Sequence, residues 1–502
     1  MPQLSKKSTV LTGAVLMALT GGALVPVLAN ASSDERSTGG QVSSEGVWRT
    51  DGYGGLITVR DGKLREYQTT SVSCLPGTVA RQTGQTGQAG QAGQTGKVGN
   101  AEAVAGGAGG DARKYLTPDG RALTLRTNGD QPDSARLHYA GSPGYRKLER
   151  VSELPAECSR KGSDDPVATF DTFWHSFAEN YPFFAAKDVD WRELRERYRP
   201  RVDKDTTDEE LFAIFRRMLE PLNDAHVSLT DGGDRFFGET RPGTTMPTEQ
   251  LDTKVKKYVE RTALHGEELT EYAQGRIGYA DLPDGRGYLR VSGFIGYADV
   301  PEGEDQYAAQ SAALDGVLDR ILTRKRVEGM RGLILDLRVN GGGADGLGLQ
   351  LASRLTDRGH FAYAKRARNA PEDPSRFTEA QEQYVRPAPG VPRYTGPIAV
   401  LTGGSTVSAG ESFVQALMER PGRTVRIGQS TQGVFSDVLE RALPNGWRVS
   451  LPNEEFRTRD GRTFDGTGVP PHHAEPVLTD EEFEQGRDSA FDRALRVLGQ
   501  RG

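Results

Sequence analysis

Two stretches share one order of elements: an apolar run, then a cluster of glycines, then residues at helical spacing. The first is "RGLILDLRVNGGGADGLGLQLASRL" (331–355) and the second is "GPIAVLTGGSTVSAGESFVQALMER" (396–420). In the first, Leu333–Val339 is a buried strand with Asp336 and Arg338 on one face, and it runs into a turn and then a helix. From about Gly275 the chain alternates such segments, with strand-like "GRGYLRVSGFIG" and "RTVRIGQS" and helices expected at 305–326, 345–356 and 409–419. This alternation predicts an α/β layered domain.

What precedes it has a different character. Lys6 and Lys7 open a positive segment, an apolar run follows, and Ala29-Asn30-Ala31 supplies small residues for cleavage, so residues 1–31 read as a signal peptide. The apolar run is short for a membrane span and is broken by Gly21, Gly22 and Pro26. The expectation is an exported protein with no stable membrane insertion after cleavage. Residues 32–45 read as a flexible leader, and 46–160 as a small β domain with an Asp61-Gly62 hairpin turn. Its Gln/Gly-rich segment 81–112 cannot form a packed core and is expected to be a disordered insertion. Cys74 and Cys158 are the two cysteines, and in an oxidising compartment they most simply form one disulfide. In the chain-entropy model a loop that long stabilises by roughly 4–5 kcal/mol at most. The net charge of −6, with no large basic block, argues against nucleic acid as a partner.

Residues 166–232 read as a small helical bundle and 233–502 as the α/β domain. Phe170, Phe173, Trp174 and Phe177 recur at helical spacing, and Thr207 with Glu210 forms a capping box. Several residues carry candidate chemistry. Ser408 sits where a strand meets a helix N-terminus, near unpaired N–H groups. It is either a helix cap completed by Glu411 or a nucleophile, and this stretch alone favours the cap. Gly341, Gly342 and Gly343 allow close backbone approach; with Gly346 they also give a weak dinucleotide pattern that an exported chain does not support. His226, in "LNDAHVSL", is either structural or a general base. Asp465 lies between turn residues and could orient an imidazole. His472, His473 and Glu475 lack the spacing of a zinc site, so neither metal nor cofactor is expected.

Taken together, "LNDAHVSL", "ILDLRVNGGGADG", "LTGGSTVSAGESF", "IGQSTQG" and "FDGTGVPPH" follow one another in the order seen in the C-terminal (tail-specific) processing serine peptidases. The chain resembles that family over roughly 166–480, nearest its tricorn-core-like branch, whose helical segment "FDTFWHSFAENYPFFAAKDVDW" also resembles. The resemblance implies a crotonase/Clp-protease-like layered core and a peptide or unfolded-protein substrate. It also implies Ser408 as nucleophile, His226 as base, and the backbone of Gly342 and Ala409 as oxyanion donors. The supporting acid falls on Asp465, one methylene shorter than the family's glutamate. Where a large branch of the family carries a lysine, this chain has Val434, and the relay serine before the histidine is Ala225. About 60 residues separate Val227 from Tyr288, too few for the PDZ domain common in relatives.

Two rival readings stand beside this one. A catalytically silent relative would bind peptides or apolar ligands in the same cleft. An α/β-hydrolase esterase would pair Ser408 with Asp465 and His472 or His473, in that fold's triad order.

Overall fold

The computed structural model describes residues 43–83, 111–160, 162–435 and 437–500. The expected signal peptide, nearly all of the leader and the centre of the Gln/Gly tract lie outside these residues. The flanks of that tract are paired strand: Arg81 faces Leu116 and Gln82 faces Tyr115.

Eight strands between Gly46 and Val151 close into an antiparallel barrel in chain order, the first (Gly46–Thr50) pairing with the last (Arg146–Val151). Alternation drives the closure. Trp48, Ile57, Val59, Leu64, Leu125 and Leu137 all point inward and are at most 2% exposed. Closing the sheet also removes its edges. The hairpin between Gly55–Arg60 and Lys63–Thr70 turns on Asp61 (φ +50°) and Gly62 (φ +66°). Two successive positive φ values make the primed turn whose twist matches its strands. A disulfide joins Cys74, in strand Ser73–Gln82, to Cys158, in the short turn Ala156–Ser159 that follows the barrel.

Three helices come next: Pro166–Asn180, Trp191–Tyr198 and Asp208–Leu219. Asp165, Asp190 and Thr207 cap them, Thr207 through the reciprocal box with Glu210. These helices do not close a core of their own. Phe173 stacks on Phe215 at 3.9 Å, and Phe215 meets Trp447 edge-on. Their aromatic face rests on a four-stranded sheet ordered 236–238, 228–230, 448–452, 438–442. The end of the chain therefore completes the hydrophobic core that its middle begins.

The main sheet has seven strands, ordered 270–272, 277–281, 286–291, 332–336, 398–402, 424–428, 473–474. From 286–291 onward neighbouring strands are parallel. Both faces are covered, as parallel sheets require. Leu333 and Leu335 face a layer that includes helices Gln306–Ile321, Asp345–Ser353 and Ala409–Ala416, while Ile334 faces Glu249–Thr262 and Ser489–Gly499. The single helix expected at 305–326 is two, because Thr323 caps a new one over Arg324–Gly329. The residues between Val227 and Tyr288 supply two short strands, the Glu249–Thr262 helix and the antiparallel edge of the main sheet.

Candidate active site

Strands 332–336 and 398–402 lie side by side, so the loops leaving them must meet. They do so as a small parallel pair, Val339 against Ser405 and Asn340 against Thr406, and the Asn340 carbonyl accepts the Val407 N–H at 2.9 Å. The Asn340 side chain braces the turn: its amide donates to the Val291 carbonyl at 2.8 Å, and its oxygen accepts the Gly342 N–H at 3.0 Å. Gly342, at φ +76°, is thereby pressed against Ser408. A Cβ at position 342 would lie 2.6 Å from Ser408 Cβ and 3.1 Å from the Ala409 nitrogen. Only glycine fits there. The Ala409 N–H donates to no described residue.

Ser408 is the N-cap of helix Ala409–Ala416, but its backbone is at φ +57°, ψ −121°. An ordinary N-cap lies in the β region. A non-glycine residue held in this rarely populated region costs on the order of 1–3 kcal/mol, and such strain gathers at functional sites. Glu411 supplies part of what holds it. Its wholly buried carboxylate accepts N–H groups from Ser408 at 3.1 Å, Gly433 at 2.6 Å and Val434 at 2.9 Å. The Val434 carbonyl in turn accepts the Ser408 N–H at 3.1 Å. Burial outweighs these donors and pushes the Glu411 carboxyl up to about 7. Val434 is 2% exposed, so an apolar side chain fills the position where a dyad lysine would stand.

His226 is set by the residues before it. Asp224 accepts the His226 N–H at 3.0 Å on one oxygen and the Tyr181 hydroxyl at 2.8 Å on the other. Past His226, strand Ser228–Thr230 pairs with Arg448–Pro452, and Pro452 pairs with Val438. This register carries the His226 end of its strand to the level of Val438, where strand Val438–Ala442 begins in the same sheet. His226 is 9% exposed and its Nδ1 has no hydrogen-bond partner among the described residues. Burial lowers its pKa, and the nearby Asp224 and Asp437 charges oppose that shift.

Asp465 is 6% exposed and accepts the Phe435 N–H at 3.1 Å and the Thr463 hydroxyl at 2.7 Å. Burial, reinforced by the charges of Glu411 and Asp224, raises it to about 8. It lies within electrostatic reach of both the serine's anchor and the histidine's, and no hydrogen bond joins it to His226. His472 Nδ1 accepts the Arg426 N–H at 2.9 Å, His473 pairs with Ile427 at the sheet edge, and Glu475 pairs with Arg493 at 2.7 Å. Ser412 donates to Asp345, and the Ser405 hydroxyl donates to the Thr245 carbonyl at 2.7 Å.

The sequence reading did not single out Asn340, Tyr181 or the anchoring of the Gly433–Val434 turn by Glu411. The spacing Ser408-x-x-Glu411 was the available signal for the last, and it reads first as a helix cap. Tyr181 acts on Asp224, far away in sequence, and Asn340 combines a local contact to Gly342 with a distant one to Val291.

Residues 285–474 match the family model for peptidase family S41, and residues 166–220 match that for the tricorn protease C1 domain. A candidate peptidase from Parabacteroides merdae superimposes with a TM-score of 0.56 at 24% identity, covering 68% of this chain and 98% of that one. The photosystem II D1 C-terminal processing protease aligns at 0.39 and 19%, covering 67% and 97%. The tricorn protease aligns at 0.34 and 15%, covering 88% and 46%. No curated protein matches the chain. The chain is thus similar to family S41 peptidases over residues 285–474 and to the tricorn C1 domain over 166–220, with a β-barrel ahead of both.

Proposed function

We propose that this protein is an exported serine endopeptidase that hydrolyses extended or unfolded polypeptides, in C-terminal processing or degradation. One observation carries the assignment: Ser408 is held at φ +57° at a strand-to-helix turn, with Gly342 packed on its Cβ and the Ala409 N–H unengaged beside it. A mere cap needs neither the strain nor the glycine.

In this reading His226 takes the Ser408 proton as Oγ attacks the scissile carbonyl carbon, and the backbone N–H groups of Ala409 and Gly342 receive the oxyanion. The Gly342 N–H must leave Asn340 Oδ1 or share with it to do so. His226 then gives its proton to the leaving amine, and water repeats the sequence on the acyl-enzyme. Asp465 is the supporting acid; pushed up to about 8 in the free protein, it must give up its proton and reach His226 Nδ1 when substrate binds. Catalytic hydrogen bonds that are long in a free enzyme commonly tighten in the complex.

Labelling with a fluorophosphonate and mapping of the adduct tests the nucleophile: Ser408 carries the label. Ser408→Ala and His226→Ala each abolish cleavage of an unfolded peptide panel, whereas His473→Ala leaves it intact. Full activity in either of the first two variants sinks the assignment. Loss in Ser408→Ala and His473→Ala with His226→Ala still active transfers it to the esterase reading, and a chain that takes no label is a binding relative.

A further inference from the structure

Both loops that build the site touch one turn of the barrel. That turn, residues 140–145, joins strands Gln131–Tyr139 and Arg146–Val151. On one side the Gly141 carbonyl accepts the Gly346 N–H at 2.8 Å, and a Cβ on Gly141 would stand 3.1 Å from Ala344 Cβ. Ala344 and Gly346 directly follow the Gly341–Gly343 turn. On the other side the Ser142 hydroxyl donates to Asp437, three residues beyond Val434, which binds both Ser408 and Glu411.

The second contact is buried and charged. Lys365 Nζ donates to Ser142 Oγ at 3.1 Å, Asp437 at 3.2 Å and Glu454 at 3.1 Å. The barrel returns a second bond from Tyr53, whose hydroxyl donates to Glu454 at 2.6 Å. Lys365 and Glu454 are 4% and 1% exposed. Hydrogen bonds to ionised groups in such surroundings are directional and strong. A stiff closed barrel is well suited to holding two loops at a set spacing. Elsewhere the barrel meets the core at several points; one is Ser71, whose hydroxyl donates to Glu179 at 2.6 Å and lies 2.8 Å from His175 Nδ1. This second clamp is on helix Pro166–Asn180 and reaches neither loop.

We propose that the barrel turn at Gly141–Ser142 is a positioning element of the active site. It holds the glycine turn and the Ser408-supporting loop in register, with Ser142 as the positioning residue. The barrel then acts as a built-in activator of the peptidase domain, and anything that pulls this turn away lowers turnover without blocking the cleft. The proposal rests on Ser408 being the nucleophile.

The test compares Ser142→Ala, Ser142→Thr and Ser71→Ala in the full chain, by steady-state peptide hydrolysis and by hydrogen–deuterium exchange without substrate. Misplacement by about 1 Å can cost about a hundredfold in rate. Ser142→Ala is expected to lower kcat by about 10- to 100-fold with KM within about twofold. It should also speed exchange in peptides covering 341–346 and 432–438. Ser142→Thr, which keeps the hydroxyl, restores most of both. Ser71→Ala, which loosens the barrel at the other clamp, changes neither. If Ser142→Ala and Ser71→Ala behave alike in both measurements, the turn is merely an interface and the proposal is wrong. If the wild type is inert and takes no fluorophosphonate, the peptidase reading fails. Exchange then decides the latch alone: faster in both loops retains it, unchanged removes it.

Discussion

The interior of the barrel and the surroundings of Ser408 are both dry, and they are filled by opposite chemistry. Trp48, Leu64, Leu125, Leu137 and Leu148 are fully buried in the barrel, and the residues clustered with them are apolar apart from the Tyr115 hydroxyl. Around Ser408 the chain buries His226, Asp224, Glu411 and Asp465, and a little further out Asp345, Lys365 and Glu454. Several of these hold protons at unusual values: Glu411 and Asp345 at about 7, Asp465 at about 8, all because burial penalises the charged form. A core of the first kind stabilises by removing apolar surface from water. The second kind costs stability and is tolerated where it serves chemistry. The difference separates the part of the molecule built to be stiff from the part built to react.

The comparison can be broken at its extremes. The largest effect belongs to the site: Ser408→Ala should lower kcat/KM on an unfolded peptide by at least about 1,000-fold. It should leave the thermal midpoint nearly unchanged, since alanine keeps the Cβ and with it the same backbone conformation. Thermal denaturation beside the assay decides this, and a variant that loses activity only because it unfolds would erase the distinction. The reverse is expected in the barrel. Leu137 is fully buried, so Leu137→Ala should cost about 2–5 kcal/mol in urea unfolding. The protein that remains folded should keep its KM.

A third variant sharpens the electrostatic half. Glu411 goes from the ordinary 4.5 to about 7 on folding. Between those values the folded chain holds a proton that the unfolded chain has released. The stability from this group is therefore complete below pH 4.5 and is lost as the pH rises through 7, on the order of 3 kcal/mol in all. Glu411→Gln removes that slope. Urea midpoints at pH 5 and pH 8 should show the wild type falling more than the variant, and equal slopes would mean Glu411 titrates normally. His226 works in the opposite sense: its pKa is lowered by burial, so its contribution is lost as the pH falls through the ordinary histidine range. Comparing wild type with variant cancels it.

The smallest effect lies on the barrel's outside. Arg49 and Glu149 pair at 3.4 Å with side chains 62% and 50% exposed. Arg49→Ala should shift stability by no more than about 0.5 kcal/mol. A larger loss would mean that the barrel's surface, and not its apolar interior, carries its stability.

Much of the architecture was legible from local pattern. Period-two alternation marks the barrel strands, and Asp61-Gly62 marks their second turn. Thr207 with Glu210 announces its helix, and the two strand–glycine–helix units announce the layered sheet. Less legible were features made by pairing at a distance. Residues 166–232 look like a bundle because nothing near them in sequence reveals that Trp447, Val449 and Leu451 finish their core. The helix expected at 305–326 was read through Thr323, a residue equally at home in a helix or as a cap.

By itself, the sequence determined the order of elements, the residue types at the candidate site and the glycine that Ser408 requires at 342. These follow from backbone sterics and side-chain periodicity, which act over a few residues. Tertiary structure alone decided what surrounds them. It turned Ser408 from an ordinary cap into a strained one, gave Glu411 to the Gly433–Val434 turn, and left His226 Nδ1 without a partner among the described residues. It also set Gly141 and Ser142 of the barrel against the two loops that form the site. Burial and partnership depend on residues hundreds of positions apart, and no local rule of the chain encodes them.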